Sequence, residues 1–526
     1  MLKCTDMQDA SRKLNHVATK EPAAQAQDVV LLGAGFSKAV SCQFPLIHEL
    51  GKLALHKLDK AEVPRRERPD EGAGFEAWLS RIGEDQPYRS VEENLAARRL
   101  FVQISTAIAG VLSDRQRSAL EELSPLWLDD LISVLHVRQA TVISFNYDNV
   151  IECAVDGHCL MDRTAGGIGR AVTSHDIVDR LPPLPPSILS EELPIECTPG
   201  DQMKERPPSP RRDADQVARS LRLLKLHGSL SWYWSPDDET GVTLQRWRAP
   251  GTFGDPSLDD EEARRRKLPG RVPFIVPPTA TKSSYLTNLV VREIWHRARA
   301  ALAKANRLIV IGYSVPPEDQ VASGMLADAL RGRGVEVIIV DSCAAQVEDR
   351  LRHLGVGESG IQHFDGPSCV EDFAACYRDE QAAAVVKRLR DSAATEGFPR
   401  ANTGAERSGH ADLESGEGDL QGQVNIDWGY FPWGSIDREA MTVDGNDLLV
   451  PLAPEPTEPR NIDQTQTPTL LRHLSDHDKV RRLIVVDRSK KRFPVVDYTC
   501  QAQPQGTIDP LSWHLTLVPS GHARGQ

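Results

Sequence analysis

Between Asp28 and Asp341, short unbroken apolar runs recur, and each ends in a small polar cluster. DVVLL runs into GAGFSK at Gly33, TVISF into NYD at Asn146, LLKL into HGS at His227, NRLIVI into GYS at Gly312, and VEVIIV into Asp341 and Ser342. Runs this short and rich in Val, Ile and Leu predict strands buried on both faces. Helical periodicity lies between some of them. In EIWHRARAALAKA, residues 293–305, Ile294, Ala298, Ala301 and Leu302 share one face. VASGMLADALRGRG is a second helix, stopped by Gly332 and Gly334, and PLIHELGKLALHKL, opening near Pro45, is a third. Strands alternating with helices predict an α/β fold, a Rossmann-like parallel sheet with helices on both faces. Ligands of such sheets bind outside the carboxyl ends of the strands, and all five polar clusters fall at that edge.

Two stretches interrupt the rhythm. Residues 163–217 are rich in proline and charge (LPPLPPS, MKERPPSPRRD), and residues 236–272 include DDEEARRR. Both read as loops or excursions. Residues 391–424 are rich in Gly, Ser and Glu; with so little apolar surface to bury they cannot offset chain entropy, which predicts a flexible linker. Apolar runs return in DLLVPL, RRLIVVD, RFPVVDY and WHLTLVP, and LIVVDRSKKRFPVVDY reads as a hairpin with a short charged turn. The expected organisation is an α/β domain over 25–380, a linker over 391–424 and a small β-rich C-terminal domain over 425–520.

Composition narrows the function classes. A net charge of −13 suits poorly a protein whose task is gripping phosphate backbones, so nucleic acid is not the expected partner. The first residues lack the apolar core of a secretory signal, and no apolar run approaches the roughly 20 residues of a membrane span. A cytoplasmic protein with no membrane contact is expected. None of the 9 cysteines forms a C-x-x-C pair, so no zinc ribbon and no metal are expected.

The polar clusters carry the chemistry. Glycines in GAGFSK let backbone approach a pyrophosphate, and amides at a helix start favour its charge. The motif is not a Walker loop, and Lys38 occupies the third glycine position of the dinucleotide fingerprint. Asn146 and Asp148 follow a strand, where an amide and a carboxylate can hydrogen-bond ribose hydroxyls or a carboxamide; an Asn-Asp turn capping the next helix is the plain alternative. His227, followed by Gly228, stands where a histidine can act as general base. It can equally be a histidine bonded to a neighbouring carbonyl. Gly312, Tyr313 and Ser314 form a tight turn able to meet phosphate or ribose. Asp341 ends a strand where a carboxylate can bind adenosine ribose, though a cap explains it as well.

Taken in order, GAGxS, NYD, HGS and GYS resemble the sirtuin family, and more specifically the sirtuin-like domains of bacterial anti-phage NAD hydrolases. FEAWLSRIGEDQP (residues 75–87), NYDNVIE, KLHGSLSW and FIVPPTATK (274–282) look like further recurring segments of that subgroup. The resemblance spans 25–380 and does not reach the linker or the C-terminal domain. It implies NAD as the substrate, with Gly33, Ala34, Gly35 and Ser37 lining the diphosphate turn. Asn146 would hold the nicotinamide ribose and the attacking water, with Asp148 near the carboxamide. His227, with Gly228 beside it, would act on a ribose hydroxyl or water. Gly312 and Ser314 would close the phosphate site, and Asp341 would face the adenosine ribose. Sirtuins more often place an asparagine there.

One departure sets the expected reaction. Protein-deacylating sirtuins carry two C-x-x-C pairs after the histidine, forming a zinc module that shapes the peptide cleft. Residues 229–306 contain no cysteine. The expectation is therefore NAD hydrolysis to nicotinamide and ADP-ribose rather than deacylation or ADP-ribosyl transfer; a non-catalytic NAD-sensing module is the third reading. An unregulated NAD hydrolase would kill its host. Regulation is expected through homo-oligomer formation and through a phage-derived or partner-protein trigger read by the C-terminal domain. Trp428, Tyr430, Phe431 and Trp433 are either its trigger surface or part of a small core.

Overall fold

In the computed structural model the described residues are 27–58, 74–162, 171–178, 219–256, 268–395, 422–426, 436–453, 466–503 and 512–521, apart from short breaks inside these ranges. Most of 163–217, the stretch 396–421, and Trp428, Tyr430, Phe431 and Trp433 lie outside them.

The apolar runs form the expected strands. β1 (Asp28–Leu32), β2 (Thr141–Ser144) and β3 (Arg222–Lys225) precede an excursion of β4 (Gly228–Trp234), three two-residue strands β5 (Gln245–Arg246), β6 (Gly251–Thr252) and β7 (Asp255–Pro256), and β8 (Val272–Ile275). β9 (Arg307–Ile311), β10 (Glu336–Val340) and β11 (Ile361–Phe364) complete the main sheet. Its order is β11-β10-β9-β1-β2-β3, and every pairing is parallel. Every residue of β1 and β2 is buried, so both faces of the sheet's centre are covered. From β1 the chain order runs one way through β2 and β3, and from β9 the other way through β10 and β11. The sheet therefore has a topological switch between β1 and β9, where the crevice of an α/β sheet opens.

Helices connect the strands: α1 (Ala34–Val40), α2 (Ile47–Lys57), α3 (Phe75–Gly83), α4 (Val91–Leu120), α5 (Leu126–Val137), α6 (Val150–Gly157), the single turn α7 (Ser174–Ile177), α8 (Leu289–Leu302), α9 (Gln320–Leu330), α10 (Ala344–His353) and α11 (Cys369–Thr395). Ser90 caps α4 through a reciprocal box with Glu93. α4 is, by length and composition alone, apolar enough to cross a membrane, contrary to the expectation that no run nears that length. Its Leu100, Ile104, Ile108 and Leu112 instead join Leu50, Trp78 and Leu79 of α2 and α3 in one buried cluster.

The C-terminal residues form a separate six-stranded mixed sheet, ordered β12-β17-β16-β15-β14-β13, from β12 (Gly422–Ile426), β13 (Thr442–Asp444), β14 (Asp447–Pro451), β15 (Arg482–Val486), β16 (Arg492–Gln503) and β17 (Ser512–Pro519), with α12 (Gln466–Asp476) between β14 and β15. β15 and β16 pair antiparallel, as the charged-turn hairpin predicts. β14 and β15 pair in parallel, which the sequence did not suggest. α11 runs unbroken past residue 380 to Thr395, through the first residues of the expected linker. Its Phe373 and Tyr377 belong to the main core, and its Val385, Val386 and Leu389 belong to the core of the second sheet.

Candidate functional site

The first and fourth polar clusters meet at the switch point, backbone against backbone. Gly33 donates its amide to the Ile311 carbonyl at 3.1 Å, and Gly35 to that of Gly312 at 2.9 Å. A Cβ on Gly33 would stand 2.5 Å from the Gly312 oxygen, and one on Gly312 would stand 2.2 Å from the Phe36 nitrogen. Gly312 also adopts φ +59°, where side chains are strained. These glycines let two turns touch. Two amides expected to face a diphosphate are thus spent inside the protein, and α1 begins at Ala34, within the motif rather than after it. Gly228 has a similar reason to be glycine: its φ is +80°, and a Cβ there would meet the Phe274 carbonyl oxygen at 2.2 Å.

Beside this turn, Asn146 is buried just past the end of β2. Its Nδ2 donates to the Gly33 carbonyl at 2.8 Å and to Ser37 Oγ at 2.9 Å. The Gly33 carbonyl demands a donor, so the amide cannot be flipped, and Oδ1 is the group left over. No donor reaches Oδ1 among the described residues. Ser37 passes its own proton to Asp148 Oδ2 at 2.7 Å. The expected diphosphate contact of Ser37 is therefore not offered by its hydroxyl, whose one proton is committed. Asp148 Oδ1 accepts the Val150 amide at 3.2 Å, so Asp148 both opens α6 and anchors the chain Asn146–Ser37–Asp148. Burial raises the Asp148 carboxyl above the usual range, opposed by Lys225 and the Ser37 bond.

Lys225, at the end of β3, is buried beneath this array. Its ammonium meets Glu152 Oε1 at 3.0 Å and donates to the Asp148 carbonyl. Asn149 joins the layer: its amide nitrogen donates to Gln116 Oε1 at 2.6 Å, and its Nδ2 reaches Glu152, Ser229 and Ser231. A buried cation paired and bonded in this way costs far less than an isolated one, and the layer fixes the β2–α6 turn from below.

His227 stands two residues past the end of β3 and is buried. Its Nε2 lies 3.3 Å from Asp319 Oδ2, and Asp319 also caps α9 by accepting the Ala322 amide. The imidazole is bounded by Phe145 at 5.3 Å, Trp295 at 6.2 Å and Tyr147 at 6.3 Å between ring centroids. Tyr313 lies flat on Phe145 at 4.0 Å. Burial foremost, and then the Asp319 and Glu76 carboxylates, hold the Tyr313 phenol well above its usual range; Tyr147 is raised by burial, Glu76 and Asp319. The loop carrying Tyr313 is strained at Val315, a β-branched residue at φ +50°.

The remaining predicted residues fall at the edge of this cluster. Gly312 donates its amide to the Val340 carbonyl at 2.9 Å, which brings Asp341 alongside, but the Asp341 carboxylate accepts the Cys343 amide at 2.8 Å and so caps its own turn. Ser314 is exposed, and its carbonyl accepts from Arg350 at 2.5 Å. Asp319, Glu76, Lys225, Asn149 and Glu152 were not anticipated. The one available sign for Asp319 was an acidic residue heading a predicted helix. Among the described residues no group of three or more His, Cys, Asp or Glu side chains could hold a metal ion. Comparison with models of known protein families and with curated proteins gave no match.

Proposed function

We propose that the chain hydrolyses NAD at the bond between nicotinamide and ribose, releasing nicotinamide and ADP-ribose, as a regulated NAD-depleting effector of anti-phage defence. The observation that carries this reading is the pairing, at adjacent strand ends beside the switch point, of an immobilised Asn146 carbonyl with a His227–Asp319 couple. Nicotinamide leaves a cationic ring as a neutral molecule, so no strong acid is needed. Positive charge passes to the ribose, where fixed dipoles such as Asn146 Oδ1 stabilise it. Water adds its oxygen to the anomeric carbon and loses a proton, which His227, oriented by Asp319, accepts. The amide of Ala34 and the α1 start remain to meet the diphosphate, with Gly35, Gly312 and Ser314 around them. Asp341 is the candidate for the adenosine ribose.

The test is nicotinamide release by purified full-length protein. Asn146→Ala and His227→Ala should each lower it by about 100-fold or more, assayed below an unfolding midpoint reduced by the about 1–3 kcal/mol that the lost buried hydrogen bonds cost. Retention of wild-type NAD loss by both variants overturns the assignment. A deacylase would consume NAD only with an acylated peptide present, and a sensor would bind NAD without turnover.

A further inference from the structure

The hydroxyl of Tyr313 is a polar group that the site's own hydrogen bonds leave over. The residue is 6% exposed, and its Oη has no hydrogen-bond partner among the described residues. Neighbouring Tyr147 donates to the Val276 carbonyl at 2.7 Å. A phenylalanine at 313 would stack on Phe145 equally well and would not bury an unsatisfied hydroxyl. The hydroxyl thus lowers stability unless something else completes it.

Its surroundings define what that is. The ring stacks face to face on Phe145, the residue before Asn146, its plane 7° from parallel. His227 packs on the edge of Phe145. Burial first, and then the carboxylates of Asp319, 3.3 Å from His227 Nε2, and of Glu76, keep the proton on the hydroxyl. Aromatic faces with two carboxylates repel a diphosphate and attract a cationic ring. A phenol proton held in that field donates to a neutral carbonyl and disfavours a second anion.

We propose that Tyr313 is the specificity residue for the nicotinamide end of the substrate, its hydroxyl donating to the carboxamide carbonyl while Glu76 and Asp319 hold the pyridinium charge. The inference rests on the NAD reading above. It further requires that the dinucleotide whose ring bears a carboxylate in place of the carboxamide be a poor substrate.

Tyr313→Phe in the full-length protein tests it, read by kcat/KM for NAD, by inhibition with free nicotinamide, and by thermal unfolding. The expected result is at least a 10-fold loss in kcat/KM, a similar weakening of nicotinamide inhibition, unchanged binding of ADP-ribose, and a melting temperature no lower than wild type. Selectivity for NAD over the carboxylate analogue should also narrow. Glu76→Gln, on the first turn of α3, should raise the KM for NAD, whose ring is cationic, while leaving inhibition by neutral nicotinamide within 2-fold of wild type and the stack untouched. Wild-type protein inert toward NAD under every trigger tried overturns the parent reading and this inference with it. Active wild type, with nicotinamide inhibition of Tyr313→Phe and the KM for NAD of Glu76→Gln both within 2-fold of it, overturns the inference alone.

Discussion

At the scale of single residues, the glycines of this site are explained by contact before they are explained by ligand. Gly312 combines φ +59° with a Cβ position 2.2 Å from backbone that cannot swing away. Gly312→Ala should therefore cost on the order of 3 kcal/mol or more, read from the denaturant midpoint. Gly324 is its control. It lies within α9 with open space around it, so Gly324→Ala should stabilise the protein by about 0.5–1 kcal/mol through helix propensity. Equal effects at the two positions would mean that the turns can part at little cost. Asp319 separates two roles in the same way. Asparagine caps helices as well as aspartate does, so Asp319→Asn should keep the α9 cap and the midpoint. Removing the charge beside His227 should still lower nicotinamide release by about 10-fold or more.

At the scale of elements, α5 carries a buried carboxylate that sets a pH dependence. Asp129 is raised to about 6, foremost by burial, with the Ser124 bond opposing and the like charge of Asp130 adding. Its folded value exceeds the unfolded one, so between about pH 4 and 6 the folded chain binds more protons than the unfolded chain. Stability from this group is complete below the unfolded value and is lost as pH rises through 6, about 3 kcal/mol at roughly 1.4 kcal/mol per unit. Asp129→Asn should thus stabilise the protein at pH 7 more than at pH 4.5, in paired urea titrations. A gain independent of pH would contradict the burial argument.

The elements themselves differ in how legible they were. Five of the six strands of the main sheet read directly from apolar runs, because a sheet covered on both faces admits nothing else at those positions; the edge strand β11, IQHF with its middle residues exposed, carries no such run. Lys225 broke one of those runs, and nothing in the run disclosed that Glu152 and two backbone carbonyls would neutralise it from another element. Asn146, Asp148 and His227 were legible because strand ends converge by topology. Asp319 was not, since its approach to His227 depends on the strained loop after Gly312, a conformation that no periodicity encodes.

At the scale of the whole molecule, α11 contributes to both cores. It lends Phe373 and Tyr377 to one core and Val385, Val386 and Leu389 to the other, while Val496 of β16 sits in the main core. Polar contacts follow the same path. Arg378 pairs with Asp130 of α5, Asp379 with Arg482 of β15, and Gln381 donates to the Val496 carbonyl at 3.0 Å. Tyr377 continues it to β1: its hydroxyl donates to Asp28 at 2.6 Å, and Arg138 lies over its ring while pairing with the same carboxylate. β1 ends in the glycine turn of the site. If the proposed function holds, these contacts are the path along which a trigger acting on the C-terminal sheet would reach the site. The consequence is measurable in the unliganded protein. Leu483→Ala, deep in the second core, should cost about 2–5 kcal/mol. If α11 couples the sheets, calorimetry of wild type gives one transition and the variant lowers that same transition, with nicotinamide release lost along the same curve. Two transitions, of which Leu483→Ala moves only one and spares activity, would show that the sheets unfold separately and that regulation must enter the site elsewhere.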